Sequence, residues 1–210
     1  MNLRILTIER EYGSGGAVIA AELARRLGWE LWDHSLTEEI ATLARVSPAA
    51  AERHDERRDP LLYRLAKVFA RGSNERSIAL EDGVVFDAER MVDLLGRVVQ
   101  RAAEQGECVI VGRGAAYILR DRADAFHVLV YAPRDVKIAR IMTLGKSAAE
   151  AEELVETVDK ERAAFIQQYF GADWPTRHLY HMFLNTAAGD EIAVETILQA
   201  MKLHEQYSTR

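Results

Sequence analysis

Three glycines, Gly13, Gly15 and Gly16, stand directly after an apolar run in Glu9-Arg10-Glu11-Tyr12-Gly13-Ser14-Gly15-Gly16-Ala17-Val18-Ile19-Ala20, and an amphipathic stretch follows them. A strand that turns through glycines into a helix N-terminus is the geometry that binds phosphate. Backbone N–H groups of the turn point inward, and the positive end of the helix dipole adds to them. Glycine lets the backbone approach an anion with no side chain in the way. The segment nevertheless departs from the pattern G-x-x-x-x-G-K-[ST], whose lysine reaches the β/γ-phosphates and whose hydroxyl meets Mg²⁺. Gly16 stands where the lysine would be, Ala17 where the Ser or Thr would be, and Arg10 at the first glycine. The spacing thus predicts a phosphate cradle without its usual charge. Valine at Gly15 is expected to fill the phosphate position at little cost in stability.

Short apolar strands alternating with helical patterns must position this turn. Leu3–Ile8 reads as a buried strand, followed by a helix from about Val18 to Leu27 that stops at Gly28. Trp29–Trp32 is a second strand ending at Asp33, and Leu36 to about Arg45 is helical. Ser47-Pro48 opens a charge-rich stretch through Pro60, with a helix-start signal at its front. Leu61–Ala70 is amphipathic, Gly72–Gly83 a polar loop, and Asp87–Gln105 a long helix closed by Gly106. Cys108–Val111 and Phe126–Tyr131 are strands; Arg134–Met142 and Ala148–Tyr169 are helical. His178–Leu184 reads as the last strand and Glu191–Glu205 as the closing helix. Strands of this kind, separated by helices, imply an α/β fold: a parallel sheet covered on both faces.

The composition bounds the partners. The 210 residues suit one domain, and 49% apolar with 29% charged residues describes an ordinary globule. A net charge of −6 argues against a nucleic-acid polymer as partner, which requires a basic face. The single cysteine, Cys108, lies in an apolar run and leaves no disulfide to form within the chain, as suits a reducing cytoplasm. The apolar run from Ile5 to Ile8 is too short for a signal peptide or a membrane span. The expectation is a cytoplasmic protein with no membrane partner.

Four stretches together resemble the cytidylate kinase-like family of the P-loop nucleoside monophosphate kinase group. They are Glu11–Gly16 after the first strand; Trp32-Asp33; Cys108–Gly114 with Tyr117-Ile118-Leu119; and Asp159-Lys160-x-Arg162-Ala163 with Tyr169-x-Gly171 and Trp174, closing on Leu184-Asn185-Thr186. They span nearly the whole chain in the family's order. The resemblance implies a P-loop NTPase-type parallel sheet of about five strands covered by helices, with a core of 1–33, 87–133 and 176–210. It also implies a helical acceptor-binding insertion over about 34–86 and a mobile helical lid over about 134–175. ATP would donate a phosphoryl group to a nucleoside monophosphate, CMP or dCMP, with Mg²⁺, an activity of the EC 2.7.4 class.

On that resemblance Arg10, Tyr12, Gly13, Ser14, Gly15 and Gly16 hold the ATP phosphates, and Asn185 and Thr186 lie on the adenine side. Arg113 grips the acceptor phosphate as a bidentate fork, with Asp33 beside the acceptor. Arg162, with Asp159 one turn before it, reaches the transferring phosphate from the lid, where Arg134 and Arg140 also lie. Ser14 and Glu9 are the candidates for helping to hold hydrated Mg²⁺. The chain departs from the family at Ala17, His34, Ala116 and His181, where basic or acidic residues are usual.

Plainer readings stand beside these. Arg113 is equally a helix cap or a partner of Asp121, Asp33 is as good an N-cap as an acceptor contact, and Arg162 with Asp159 is equally a surface i,i+3 pair. His178 and His181 at strand spacing face opposite sides and make no metal site. Trp29, Trp32 and Trp174 read as packing residues. Two other functions compete with the kinase: a non-catalytic nucleotide-binding regulatory protein that keeps the fold, and an interaction module in which the Leu61–Ala70 face pairs subunits as a homo-oligomer.

Overall fold

The computed structural model describes residues 2–33 and 88–207. The expected helices at 36–45 and 61–70, the loop at 72–83, the acceptor-binding insertion and the pairing helix all lie outside them.

All six residues of strand β1 (Ile5–Arg10) are buried, including Thr7, Glu9 and Arg10. Such a run requires neighbours on both edges and both faces. The sheet supplies them: the order is β2-β3-β1-β4-β5, with β2 Glu30–Trp32, β3 Cys108–Val111, β4 Ala125–Tyr131 and β5 Met182–Asn185. Every pairing is parallel. From β1 the chain passes outward to β2, returns to β3, then crosses to β4 and β5 on the other side. The connections diverge at the carboxyl end of β1, where ligands of open α/β sheets gather.

Alternation along the strands divides the core. Leu6, Ile8, Val109, Val111, Phe126, Val128 and Val130 meet helix α1 (Gly16–Leu27) through Ile19 and Leu23, and helix α6 (Asp190–Tyr207) through Val194, Ile197 and Met201. On the opposite face Ile5, Cys108 and Ile110 meet helix α2 (Ala88–Gln105) through Leu95 and Val99. Phe165 and Ile166 of helix α5 (Ala148–Phe170) join that cluster. Both faces of the sheet are therefore covered. A short helix α3 (Ala115–Ile118) follows β3, and helix α4 (Arg134–Met142) precedes α5. The start of α5 is set locally: the Ser147 hydroxyl accepts from Glu150 N–H at 3.3 Å while the Glu150 carboxylate accepts from Ser147 N–H at 2.9 Å.

The last strand is shorter than the 178–184 expected from sequence. Arg177–Leu179 forms a 3₁₀ turn closed by Leu179 N–H to Thr176 O (3.1 Å) and Tyr180 N–H to Arg177 O (3.4 Å). These local bonds occupy the backbone, and β5 begins only at Met182. His178 consequently sits in the turn.

The central strands also carry a polar pair. Thr7 Oγ1 and His127 Nδ1 lie 2.7 Å apart, and the His127 ring lies 5.4 Å from that of His181. Burial, then His181, pulls the His127 imidazole down to about 4. The folded chain thus keeps this ring neutral while the unfolded chain protonates it below about pH 6.5. Stability is full above that value and is lost as pH falls toward the folded pKa. Between about pH 7 and pH 5 the native protein should lose about 2 kcal/mol more than His127→Gln in urea denaturation. Equal losses would refute the burial of a neutral imidazole.

Candidate active site

The turn after β1 is held by contacts from distant elements. Gly13 and Gly15 adopt left-handed φ of 78° and 83°. The Ser14 hydroxyl donates to Glu11 O at 2.7 Å, and Thr186 Oγ1 donates to Ser14 O at 2.7 Å. From α5, Asp159 Oδ1 accepts the Tyr12 N–H at 2.8 Å. Asn185, next to Thr186, turns its Oδ1 to the Ala187 N–H at 3.0 Å. Helix α1 starts at Gly16 with no side-chain cap and no acid in its first turn. Its dipole end carries no negative charge from its own residues.

Glycine is required at position 16 for a reason the loop pattern does not contain. A Cβ there would lie 2.7 Å from Arg10 Cβ, 2.8 Å from Arg10 Cδ and 3.1 Å from Val130 Cγ2. The Arg10 stem runs beneath α1 in the space a side chain at 16 would need. Restoring the loop's missing lysine by Gly16→Lys should therefore cost about 1–3 kcal/mol in thermal or urea unfolding. A Gly16→Lys chain as stable as the native one would show that the stem yields. Position 15 departs from its expectation too. A Cβ at Gly15 would meet the Arg140 guanidinium and stand 3.0 Å from Asp190 Oδ1, on a left-handed backbone. Valine there is destabilising, not cheap.

Beyond the turn, charges converge on the carboxyl ends of β1, β2 and β3. Arg10 Nη2 lies 3.6 Å from Asp33 Oδ1, both side chains under a tenth exposed. Arg10 thus points toward the ends of β2 and β3. Arg113 follows β3 with φ 57°, flanked by Gly112 at 66° and Gly114 at 71°. A non-glycine residue in this region is strained by about 1–2 kcal/mol, and such outliers gather at functional sites. Its neighbours enforce it: a Cβ at Gly112 would meet Arg10 Nη1, and one at Gly114 would lie 2.6 Å from Phe170 Cε2. Burial pulls the Arg113 guanidinium down to about 10, with Asp33 opposing and Arg10 adding to the fall. It is still cationic at neutral pH. Asp121 instead lies 3.5 Å from Arg120 on the surface.

A second cluster descends from α4 and α5. Arg162 Nη1 donates to Arg10 O at 2.7 Å and to Asp159 Oδ1 at 3.0 Å, and both side chains are mostly buried, so this is no surface pair. Lys137 Nζ donates to Glu11 Oε2 at 2.8 Å and lies 3.7 Å from Asp159 Oδ2. Glu9 is buried beneath them, its Oε1 accepting from Arg10 N–H at 3.1 Å. Burial raises the Glu9 carboxyl, against the pull of Arg162 and Arg10. Burial likewise raises Asp159, against Arg162, the Tyr12 N–H and Lys137. Arg134 turns away: half exposed, it lies 3.2 Å from Glu156 and 3.8 Å from Glu152 on α5. Arg140 lies over Gly15.

Sequence reasoning missed Lys137 and Asp190. The signal for Lys137 was its i,i+3 spacing to Arg140, which puts both on one face of α4; nothing local marks Asp190. The three tryptophans join the two apolar clusters, Trp32 and Trp174 on the α2 face and Trp29 on the α1 face.

The residues suit a metal held mainly by phosphates and water, as Mg²⁺ commonly is in kinases. Ser14 is fully buried with its hydroxyl donated to Glu11 O. Among the described residues no group of three or more His, Cys, Asp or Glu is arranged as a metal cage.

A parallel sheet ordered β2-β3-β1-β4-β5, with a glycine turn after its central strand and arginines around that strand's carboxyl end, defines a P-loop NTPase-type fold of the kinase kind. The model of the cytidylate kinase-like family matches residues 5–188, and the chain belongs to that family. Cytidylate kinase of Methanosarcina mazei is 24% identical over 138 residues, 63% of this chain and 77% of the relative. That of Methanopyrus kandleri is 26% identical over 145 residues, 64% and 75% of the two chains. Among solved structures, an uncharacterized protein from Eubacterium ventriosum superposes with a TM-score of 0.68 at 19% identity, covering 95% of this chain and 99% of that one. Shikimate kinase from Bacteroides thetaiotaomicron gives 0.53 at 14% identity, covering 95% and 98%. Membership places the chain among kinase-like phosphotransferases. No helix of the described residues is long and apolar enough to cross a membrane.

Proposed function

We propose that this protein transfers the γ-phosphoryl group of ATP to a nucleoside monophosphate, with CMP or dCMP as the acceptor. The observation that carries the reading is the convergence of Arg10, Arg113 and Arg162 with Asp33, Glu9 and Asp159 at the carboxyl ends of β1–β3, beside the glycine turn. Phosphoryl transfer needs little covalent help from protein; it needs positioning and neutralised charge. ATP would supply the phosphoryl group, and a hydrated Mg²⁺, when bound, would neutralise charge on its phosphates. Tyr12–Gly16 cradle those phosphates, and Asn185 and Thr186 border the adenine side. Arg113 holds the acceptor phosphate and Asp33 orients the acceptor. Arg162, fixed by Asp159, neutralises charge as the acceptor oxygen bonds to the γ-phosphorus and the bond to the leaving ADP oxygen breaks. Arg10 acts from below by fixing Asp33. Glu9 would help to hold that hydrated ion.

A coupled ADP-release assay with ATP, Mg²⁺ and each monophosphate in turn tests this. The expected result is acceptor-dependent release, fastest with CMP or dCMP. Release with no acceptor dependence, or none with any monophosphate, overturns the kinase. One observation favours a second reading, a non-catalytic nucleotide-binding protein: the Arg10 stem occupies the space of the loop lysine's side chain. Calorimetric ATP and CMP binding without turnover would select it.

A further inference from the structure

Arg140, on α4, donates through Nη2 to Asp190 Oδ1 at 2.7 Å, and Asp190 opens α6. Both groups lie against the glycine turn. A Cβ on Gly15 would meet Arg140 Nη1 and stand 3.0 Å from the Asp190 carboxylate. The side chains are about a quarter and a third exposed, so water and solutes reach the pair. Arg140 Nη1 is buried and meets no hydrogen-bond partner among the described residues. One edge of this guanidinium is therefore satisfied by a carboxylate, and the other lies unused beside the turn. Helix α1, for its part, has a glycine N-cap and no acid in its first turn. Its dipole favours a negative group there, and the nearest carboxylate comes from another helix.

We propose that Asp190 is a built-in competitor for phosphate. In the nucleotide-free chain its carboxylate stands in for phosphate oxygens, neutralising Arg140 and the start of α1 beside Gly15. Bound ATP displaces it and takes over Arg140, whose planar fork offers two parallel N–H bonds to a phosphate. The proposal rests on the nucleotide-binding reading above and adds a regulatory contact to it. Asp190 weakens ATP binding and ties α4 to α6 while the site is empty. It also supplies a reason why the loop functions without its own lysine: the cation arrives from α4, held in reserve by an internal anion.

Calorimetric titration of Mg-ATP into the full chain tests the latch. Asp190→Asn keeps a polar residue at the start of α6 and should tighten ATP about fivefold, the upper range for releasing a partly exposed ion pair. Glu191→Gln removes the adjacent charge, which pairs instead with Arg26, and should change affinity by less than about twofold. In an Arg140→Ala background Asp190→Asn should give a clearly smaller gain, because the competitor has lost its cation and acts only at the start of α1. Should Arg140→Ala fail to melt cooperatively, Arg140→Gln serves as the background. ATP binding by the native chain with no gain in Asp190→Asn, or the same gain without Arg140, overturns the latch and leaves the nucleotide reading standing. ATP binding by neither protein overturns both.

Discussion

Arg113→Ala should weaken CMP binding by about 2–4 kcal/mol, the loss of a fork-to-phosphate contact in a partly desolvated site. ATP binding at the glycine turn should hardly change. Arg113→Lys should recover only part, since an ammonium cannot make two parallel bonds. The backbone sharpens the test. Arg113 holds φ 57° between two glycines, so alanine inherits the same strain and should leave the fold cooperative. Glycine relieves it, and Arg113→Gly should be about 1 kcal/mol more stable than the native chain while binding CMP as poorly as Arg113→Ala. Calorimetric titration of CMP together with urea unfolding separates the two effects. Equal CMP affinity in all four proteins would remove Arg113 from the acceptor site and most of the case for a kinase.

Loss of Asp159 should be the most damaging change to stability. Its carboxylate accepts from Tyr12 N–H and Arg162, and Lys137 lies 3.7 Å from it. Arg162 also supports the backbone of Arg10. Asp159→Ala leaves two largely buried cations without their shared anion and a loop N–H without its acceptor. Breaking a buried pair from one side costs about 3–5 kcal/mol. Asp159→Asn keeps an oxygen for Tyr12 and loses only the charge, so it should fall between. Because the hub anchors the turn, ATP affinity should drop in both variants in the order of their stability. An Asp159→Ala chain that unfolds at the native urea midpoint would mean that the hub is surface decoration.

Much of the frame is legible in the amino-acid sequence. The apolar run Leu3–Ile8 ahead of the glycines predicts a strand–turn–helix; the strand falls two residues later, at Ile5–Arg10, and α4 begins and ends at the expected Arg134 and Met142. Helix α5 is one residue longer than expected, to Phe170, closed by Gly171 in a left-handed conformation. Alternation predicts a strand through His178–Tyr180, while i→i+3 bonds fold that segment into a turn. Sequence alternation measures side-chain character and is blind to where the backbone N–H groups go.

The amino-acid sequence by itself determined the parallel α/β frame, the glycine turn after the first strand and the placing of Arg113 just beyond a buried strand. These follow from local periodicity, glycine's left-handed freedom and runs too apolar to lie outside a sheet. Only the tertiary structure decided that the Arg10 stem fills the lysine's space under Gly16 and that Lys137 binds Glu11. Only it placed Arg162 on the backbone of Arg10 and set Asp190 against Arg140 over the turn. Each joins residues far apart in the chain, and a charged side chain reaches any of several partners by rotamer choice. Which partner it meets is fixed by how helices pack on the sheet, and no local pattern encodes that.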